Sequence, residues 1–333
     1  WCEMTRAKKN KSVQENTKWT SSDLRFGTPE IVANYRAERL QCSVIAEIGC
    51  GVGFQTAAFA KTCEKVYAIE KDSRKLEYAR KNTAGLANIT FIHGDALDPA
   101  LRKKLAGCEI VFCDTERSVD ERRSLESLSP HPLKLIEAYA PITPKIAIEV
   151  PPFLQDIPFA CEKEYISVHG ALNRLTLYLG LLQKAERSVV ALPGSQRLES
   201  SGKTTQKAKS LTTYSYIYDP DPAVVQASLL GEVDERLALH TATGKCFFLS
   251  KQRVDSPFVK AFRILAVVEQ QEIVPTLQKL GAGTVVLRYR VDPKDYWKQR
   301  QALERQLQGK KKVFLFQLEK SVIAEEVSSQ KRK

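Results

Sequence analysis

Three glycines two apart, Gly49, Gly51 and Gly53, interrupt the apolar stretch "AEIGCGVGFQT" of Ala46–Thr56, next to the acid Glu47. Glycine is required where the main chain must turn sharply and approach a ligand too closely for a Cβ. The segment therefore reads as a cradle between a strand and the following helix, at the carboxyl edge of a sheet, where open α/β folds bind ligands. A dinucleotide fingerprint, G-x-G-x-x-G, would place its third glycine where Phe54 stands; here it is Gly53, which argues against NAD or FAD. A carboxylate at Glu47 suits a cationic ligand and would repel a pyrophosphate. Glu70, 21 residues after Gly49, closes the next apolar run, where a carboxylate can take both hydroxyls of a ribose. Asp95, in "HGDAL", follows the third run.

The elements that must position these residues alternate. Short apolar runs ("SVIAEIG", "KVYAIE", "NITFIHG", "EIVFCD", "KIAIEVPP") are separated by stretches whose apolar positions fit helical spacing ("FQTAAFAKTC", "DSRKLEYARKNTAG", "PALRKKLAG", "HPLKLIEAYA"). Doubly buried strands alternating with helices predict a parallel sheet with right-handed crossovers. "EKEYISVHGALNRLTLYLGLL" holds two strand-like pieces too closely joined for a helical crossover, so an antiparallel pair is expected to close the sheet. Gly194–Thr213 is almost devoid of apolar residues and reads as a loop or linker. Beyond it a helix is expected at "YDPDPAVV", with Asp221 as N-cap and Pro222 in the first turn, followed by strand-like and helical pieces of a smaller α+β domain. The expected organisation is a basic segment over 1–40, a first domain over 41–193, a linker over 194–213 and a second domain over 214–333.

The pattern E-x-G-x-G-x-G at Glu47–Gly53 resembles motif I of the class I S-adenosylmethionine-dependent methyltransferases. The resemblance implies an α/β fold with a Rossmann-like seven-stranded sheet and S-adenosyl-L-methionine as cofactor. The glycine loop and Glu47 would hold the amino-acid end, Glu70 the ribose and Asp95 the adenine amine. "RFGTPEIVANYRAERL", the D-x-x-R form of Asp114–Arg117 with Arg122 and Arg123 after it, "SPHPLKLIE" and "YDPDPAV" resemble a methyltransferase family that ends in a THUMP-like domain. That likeness runs from about Arg25 to Val327; members more often carry Asp-Pro-x-Arg, so Thr115 is a departure. Thr28-Pro29-Glu30 together with "GCGVGFQT" also resembles trimethylguanosine synthase, an RNA cap methyltransferase, and places Thr28 among the expected cofactor-site residues. This second likeness stops before strand four, and the cap substrate is not carried over.

A sulfonium methyl group is already activated, so a protein need only align a nucleophile with it and desolvate both. The acceptor faces the end of strand four, where amino-directed nucleic-acid methyltransferases usually carry Asn/Asp/Ser-Pro-Pro-aromatic. Here "FCDTERS" (Phe112–Ser118) keeps an acceptor in Asp114 and lacks the prolines and the aromatic. Asp114 is expected to orient the acceptor nitrogen or remove its proton. Arg117 is expected to hold a phosphate or the loop, with a salt bridge to Glu116 or Asp120 as the plain alternative. Methylation of a pyrimidine carbon needs a thiolate, and Cys113 and Cys161 both read as buried hydrophobes instead. "EVPPF" (Glu149–Phe153) reads as a strand-ending turn beside the cleft.

The THUMP-like resemblance implies an RNA substrate, tRNA or rRNA, and the charge distribution agrees with it. The chain carries 51 Lys and Arg against 39 Asp and Glu; Arg288–Lys333 holds thirteen of the former and six of the latter, and Trp1–Arg25 six and three. Both ends are basic while the middle is nearly neutral, as in polyanion-binding proteins. Arg288, Arg290, Lys294, Lys298, Arg300, Lys310, Lys311 and Lys312 are the expected RNA contacts. Tyr289, Tyr296 and Trp297 lie among them, and Trp297 is expected to be buried at the base of a helix. The competing readings are a catalytically silent cofactor- and RNA-binding subunit and a methyltransferase acting on proteins or small molecules. Eight scattered cysteines without C-x-x-C and four isolated histidines give no metal-ligand spacing. Trp1–Asn10 lacks the apolar core of a signal peptide, and no run approaches a membrane span, so a cytoplasmic location without membrane or metal is expected.

Overall fold

The structure, a computed structural model, describes residues 27–117, 124–154, 156–208, 210–242 and 246–327. Most of the expected N-terminal basic segment, and with it Ser118, Asp120, Arg122 and Arg123, lies outside the described residues. The chain divides into two units between Glu199 and Ser200.

In the first unit five parallel strands form as the apolar runs demand: β1 (Val44–Ile48), β2 (Lys65–Glu70), β3 (Ile89–His93) and β4 (Ile110–Asp114), then, after the two-residue pair β5 (Glu116–Arg117) and β6 (Leu128–Ser129), β7 (Lys145–Val150). Four further strands follow, β8 (Glu162–Val168), β9 (Ala171–Gly180), β10 (Arg187–Leu192) and β11 (Gln196–Glu199). The sheet order is β11-β10-β8-β9-β7-β4-β1-β2-β3, with β9 antiparallel to both β7 and β8. The reversal of order at β1 and β4 opens a switch point at the carboxyl edge. The sheet thus has nine strands where seven were expected: the antiparallel pair does not close it, because β10 adds in parallel to β8 and β11 folds back on β10. The stretch read as a linker supplies β11, whose polar residues suit an edge strand with one side in water.

Among the described residues five α-helices accompany the sheet: α1 (Glu30–Arg39), α2 (Phe54–Thr62), α3 (Ser73–Asn82), α4 (Pro99–Arg102) and α5 (Pro132–Tyr139). Asp72 caps α3, its Oδ1 accepting from the Arg74 and Lys75 amides at 2.9 and 3.2 Å. Although α1 precedes residue 41, its Val32, Ala33 and Ala37 are buried, and Ala33 and Ala37 pack with Phe59, Phe112, Ala147 and Tyr178 in one core. The first unit therefore begins at or before α1 rather than at residue 41.

The second unit is a seven-stranded sheet of β12 (Tyr216–Pro220), β13 (His240–Thr241), β14 (Phe248–Ser250), β15 (Val259–Val268), β16 (Ala282–Leu287), β17 (Lys311–Gln317) and β18 (Ser321–Glu326), in the order β13-β14-β12-β15-β18-β17-β16. Only β16 and β17 run parallel. Helix α6 (Pro222–Gln226) begins as its sequence predicts, with Asp221 Oδ1 accepting from the Ala223 amide at 2.7 Å; α7 (Leu230–Leu237) follows it. Helices α8 (Ile273–Lys279) and α9 (Tyr296–Glu304) send Ile273, Leu277 and Leu303 against Val313, Leu315 and Ile323. The alternate residues Phe314 and Phe316 face the other side, in a cluster with Ile217 and Phe262.

Candidate active site

The glycine loop leaves β1 and enters α2, and each glycine has a different physical reason. All three hold positive φ, +74°, +55° and +90°. A Cβ on Gly49 would stand 2.7 Å from the main-chain oxygen of Asp114, and one on Gly53 would stand 3.1 Å from Cα of Ala79 in α3. Gly51 differs: a Cβ there would meet nothing within 4 Å. Gly49 and Gly53 let the chain pack, whereas Gly51 keeps open space bare. The loop is pinned from β2, with the Gly49 and Cys50 amides donating to the Ile69 carbonyl at 2.9 and 3.1 Å.

Carboxylates ring this loop. Glu70, 6% exposed, accepts from the Gly51 amide through Oε2 at 2.9 Å and from the Asp72 amide through Oε1 at 3.0 Å. Glu47, 1% exposed, has its Oε2 buried with no hydrogen-bond partner among the described residues. Burial pushes its carboxyl up to about 8; the neighbouring Thr56 hydroxyl opposes the rise, Asp114 adds to it, Arg36 opposes it and Glu70 adds to it. Asp95 is exposed, and its Oδ1 accepts from the Leu97 amide at 2.9 Å, fixing the turn that leads into α4. Thr28 is buried just before α1.

Asp114 ends β4, next to the glycine loop. Burial raises its carboxyl to about 8, Glu149 raises it further, and Arg174 and Arg36 pull it back. Glu149, its register partner on β7, sits between two arginines: Arg174 Nε contacts Oε1 at 2.6 Å and the Arg36 guanidinium grips Oε2. Arg36 is fully buried; its Nη1 donates to Gln55 Oε1 at 2.9 Å, and its guanidinium lies over the Phe112 ring at 4.7 Å. A single arginine of α1 thus links the first turn of α2, the end of β7 and the ring beneath Asp114. Thr115, the departure from Asp-Pro-x-Arg, donates its hydroxyl to the Glu149 carbonyl at 2.7 Å and its amide to the same oxygen at 3.4 Å. That anchor is one a proline could not supply.

The main chain of Arg117 pairs with Leu128 in the β5–β6 ribbon, while Glu116 takes Lys75 at 2.9 Å and Lys71 at 3.8 Å. Cys113 and Cys161 are buried, and burial raises both thiols, Cys113 well above its ordinary value and Cys161 to about 11. Thiol–thiolate chemistry is disfavoured at both positions. Sequence reasoning missed Arg36, Arg174 and the carboxylate of Glu149. The last was legible as another acid ending a parallel strand, in the pattern of Glu47, Glu70 and Asp114.

The eight cationic candidates of the second unit divide. Arg288 pairs with Asp219 at 3.2 Å and Arg300 with Glu304 at 2.9 Å, whereas Arg290, Lys294, Lys298 and Lys310–Lys312 are exposed. Arg288 and Lys312 both lie over the Phe314 ring, at 5.8 and 5.2 Å, on the sheet face away from α9, which carries Lys298 and Arg300. Trp297 is not buried as expected but 59% exposed, because Tyr296 and Leu303 take the inward positions of α9; the Arg300 guanidinium lies 5.1 Å from its ring centroid. Among the described residues no cluster of His, Cys, Asp and Glu could hold a metal ion, and no helix is long and apolar enough to cross a membrane.

A family profile described as a methyltransferase domain matches residues 45–127, which span the glycine loop, all four strand-end acids from Glu47 to Asp114, and the loop after β4. An uncharacterized S-adenosylmethionine-dependent methyltransferase of Mycobacterium tuberculosis is 25% identical over 289 residues, 83% of this chain and 78% of that protein. A protein of Thermococcus onnurineus named as a ribosomal RNA small subunit methyltransferase A is 48% identical over 62 residues, 19% of this chain; the match spans only 22% of that protein's length. The crystal structure of a protein from Porphyromonas gingivalis described as a methyltransferase superposes with a TM-score of 0.75 at 15% identity, over 93% of this chain and 83% of that one, and so shares the fold. The buried unpartnered oxygen of Glu47 and the bare space over Gly51 fit the ammonium-bearing end of S-adenosyl-L-methionine. The chain carries a class I S-adenosylmethionine-dependent methyltransferase domain.

Proposed function

We propose that this protein methylates a nucleotide in structured RNA, tRNA or rRNA, with the second unit, read as THUMP-like, gripping the RNA. The observation that carries the reading is the pairing of two features. One is Asp114, a raised-pKa acceptor beside the cofactor cradle; the other is a basic second unit that displays Trp297, Arg290, Lys294 and Lys298 to solvent. The 62-residue likeness to a ribosomal RNA methyltransferase points the same way. Cations neutralise phosphates and an exposed indole stacks on an unpaired base.

S-adenosyl-L-methionine supplies an electrophilic methyl group. Glu47 would hold its ammonium, Glu70 its ribose hydroxyls and Asp95 its adenine amine, with Gly49, Gly51, Gly53 and Thr28 shaping the cradle. Asp114 accepts a hydrogen bond from the acceptor nitrogen and takes its proton; a carboxyl with its pKa near 8 is a stronger base than an exposed one and is matched to a neutral operating pH. The Arg36–Glu149–Arg174 cluster keeps a fixed charge balance beneath it, and Arg117 holds a phosphate of the target strand.

The test is incubation of the pure protein with labelled cofactor and total RNA, followed by mass spectrometry of the nucleosides. A new methylated nucleoside supports the reading. Cofactor binding without transfer would instead identify a silent subunit, and label in protein or small molecules would move the substrate class.

A further inference from the structure

The second unit contains a cavity lined by none of the candidate cofactor-site residues. Its volume is about 340 Å³, and it lies among α9, the start of α8 and the adjoining ends of β17 and β18. Ile273, Leu303 and Leu315 give it an apolar floor. Around that floor stand Gln270, Gln299, Gln306, Gln317, Ser321 and Tyr289, and no charged side chain lines it. Gln306 Nε2 donates to the Ala302 carbonyl at 2.9 Å, while the side-chain amides of Gln270, Gln299 and Gln317 are not taken up by other groups among the described residues.

This lining has a chemical meaning. A carboxamide presents a donor and an acceptor side by side, as the edge of a nucleobase does, and an aromatic ring offers a face to stack on. The volume sits at the small end of ligand pockets, where one planar heterocycle fits and a peptide segment does not. Charge begins at the adjoining positions: Arg290 follows Tyr289 in the chain and Lys298 precedes Gln299 on α9, both exposed, with Lys294 exposed just before the helix. An uncharged pocket beside exposed cations is the arrangement that takes a neutral base and the phosphates on either side of it.

We propose that this cavity receives one unpaired nucleobase of an RNA. Tyr289 lies against its face, the amides of Gln299 and Gln317 meet its edge, and Arg290, Lys294 and Lys298 hold the flanking phosphates. The proposal rests on the RNA reading and deepens it: the second unit recognises a single-stranded nucleotide and not only a charged backbone.

Fluorescence anisotropy of the full chain tests it, with a mixed-sequence single-stranded RNA and the same ribose-phosphate strand made abasic. The base-bearing strand should bind at least about fivefold more tightly, the gain expected from one stacked base. The double variant Gln299→Ala, Gln317→Ala changes two exposed side chains, so its melting temperature should match the parent. It should bring the base-bearing strand down to the abasic affinity without altering abasic binding or its salt dependence. Equal affinity for the two strands, or a double variant that weakens both alike, overturns the base pocket and leaves the RNA reading standing. Failure of both strands to bind overturns the two together. A mixture of the four free nucleosides that competes at concentrations equal to the RNA shows a small-molecule site and overturns the assignment to RNA.

Discussion

Gly49 and Gly51 look alike in the sequence and do different work, which substitution can separate. Gly49→Ala drives a methyl group against the Asp114 main chain and should lower the melting temperature by several degrees. Gly51→Ala meets no atom and carries only the left-handed backbone penalty of about 1–2 kcal/mol. It should leave the protein folded and still reduce cofactor affinity by tenfold or more in calorimetry, because its Cβ enters the bare space. Glu47 and Asp114 set the pH behaviour. Both have folded-state pKa values raised to about 8, so the stability they contribute is complete below the ordinary carboxylate range and is lost as pH rises through about 8. The ligand-free protein should therefore melt at progressively lower temperature as pH rises from about 5 to 9, and Glu47→Gln should flatten that fall. Cofactor affinity should run the other way, rising about tenfold per pH unit up to about 8, because the proposed contact to the ligand's ammonium requires Glu47 ionised. Asp114→Asn should cut turnover by about 10²–10⁴-fold with cofactor affinity retained, as loss of a proton acceptor does.

At the scale of elements, the site depends on the junction of α1, β4 and β7. Arg36 reaches from a helix that looks peripheral in the sequence into the space beneath Asp114, and removing it takes one of two arginine partners from the buried carboxylate of Glu149. Arg36→Met should cost about 3 kcal/mol, the lower end for breaking a buried pair because Arg174 still holds Glu149. That corresponds to a melting temperature lower by roughly 6–12 °C in thermal denaturation. Thr115 works through the loop. Thr115→Val keeps the side-chain volume and loses the 2.7 Å bond to the Glu149 carbonyl, so it should lower turnover about tenfold with cofactor affinity unchanged. A departure from the Asp-Pro-x-Arg form is here a substitute anchor.

At the scale of the molecule, the chain forms two compact units, and the cationic candidates for the proposed RNA contact belong to the second. Its candidate cations lie on both faces of one sheet, and Arg288 and Arg300 already have carboxylate partners. RNA affinity should therefore depend most on the exposed Arg290, Lys294, Lys298 and Lys310–Lys312. Each of Lys294→Ala and Lys298→Ala should reduce the slope of log affinity against log salt by about one, whereas Arg288→Ala should act through stability.

The glycine spacing, the acids at successive strand ends and the alternation of apolar runs with helical stretches were legible without coordinates, because each is a local pattern with one backbone consequence. The family profile covering the glycine loop and the loop after β4 agrees with that reading. Long-range packing decided the rest. Neither the two strands added beyond the hairpin, nor the burial of Arg36 under Asp114, nor the exposure of Trp297 could be read from neighbours in the chain. The physical reason is that burial, the pairing of charges and the pKa of a carboxyl depend on what arrives from distant segments. Thirty-five residues separate Asp114 from Glu149, yet they are register partners in the sheet.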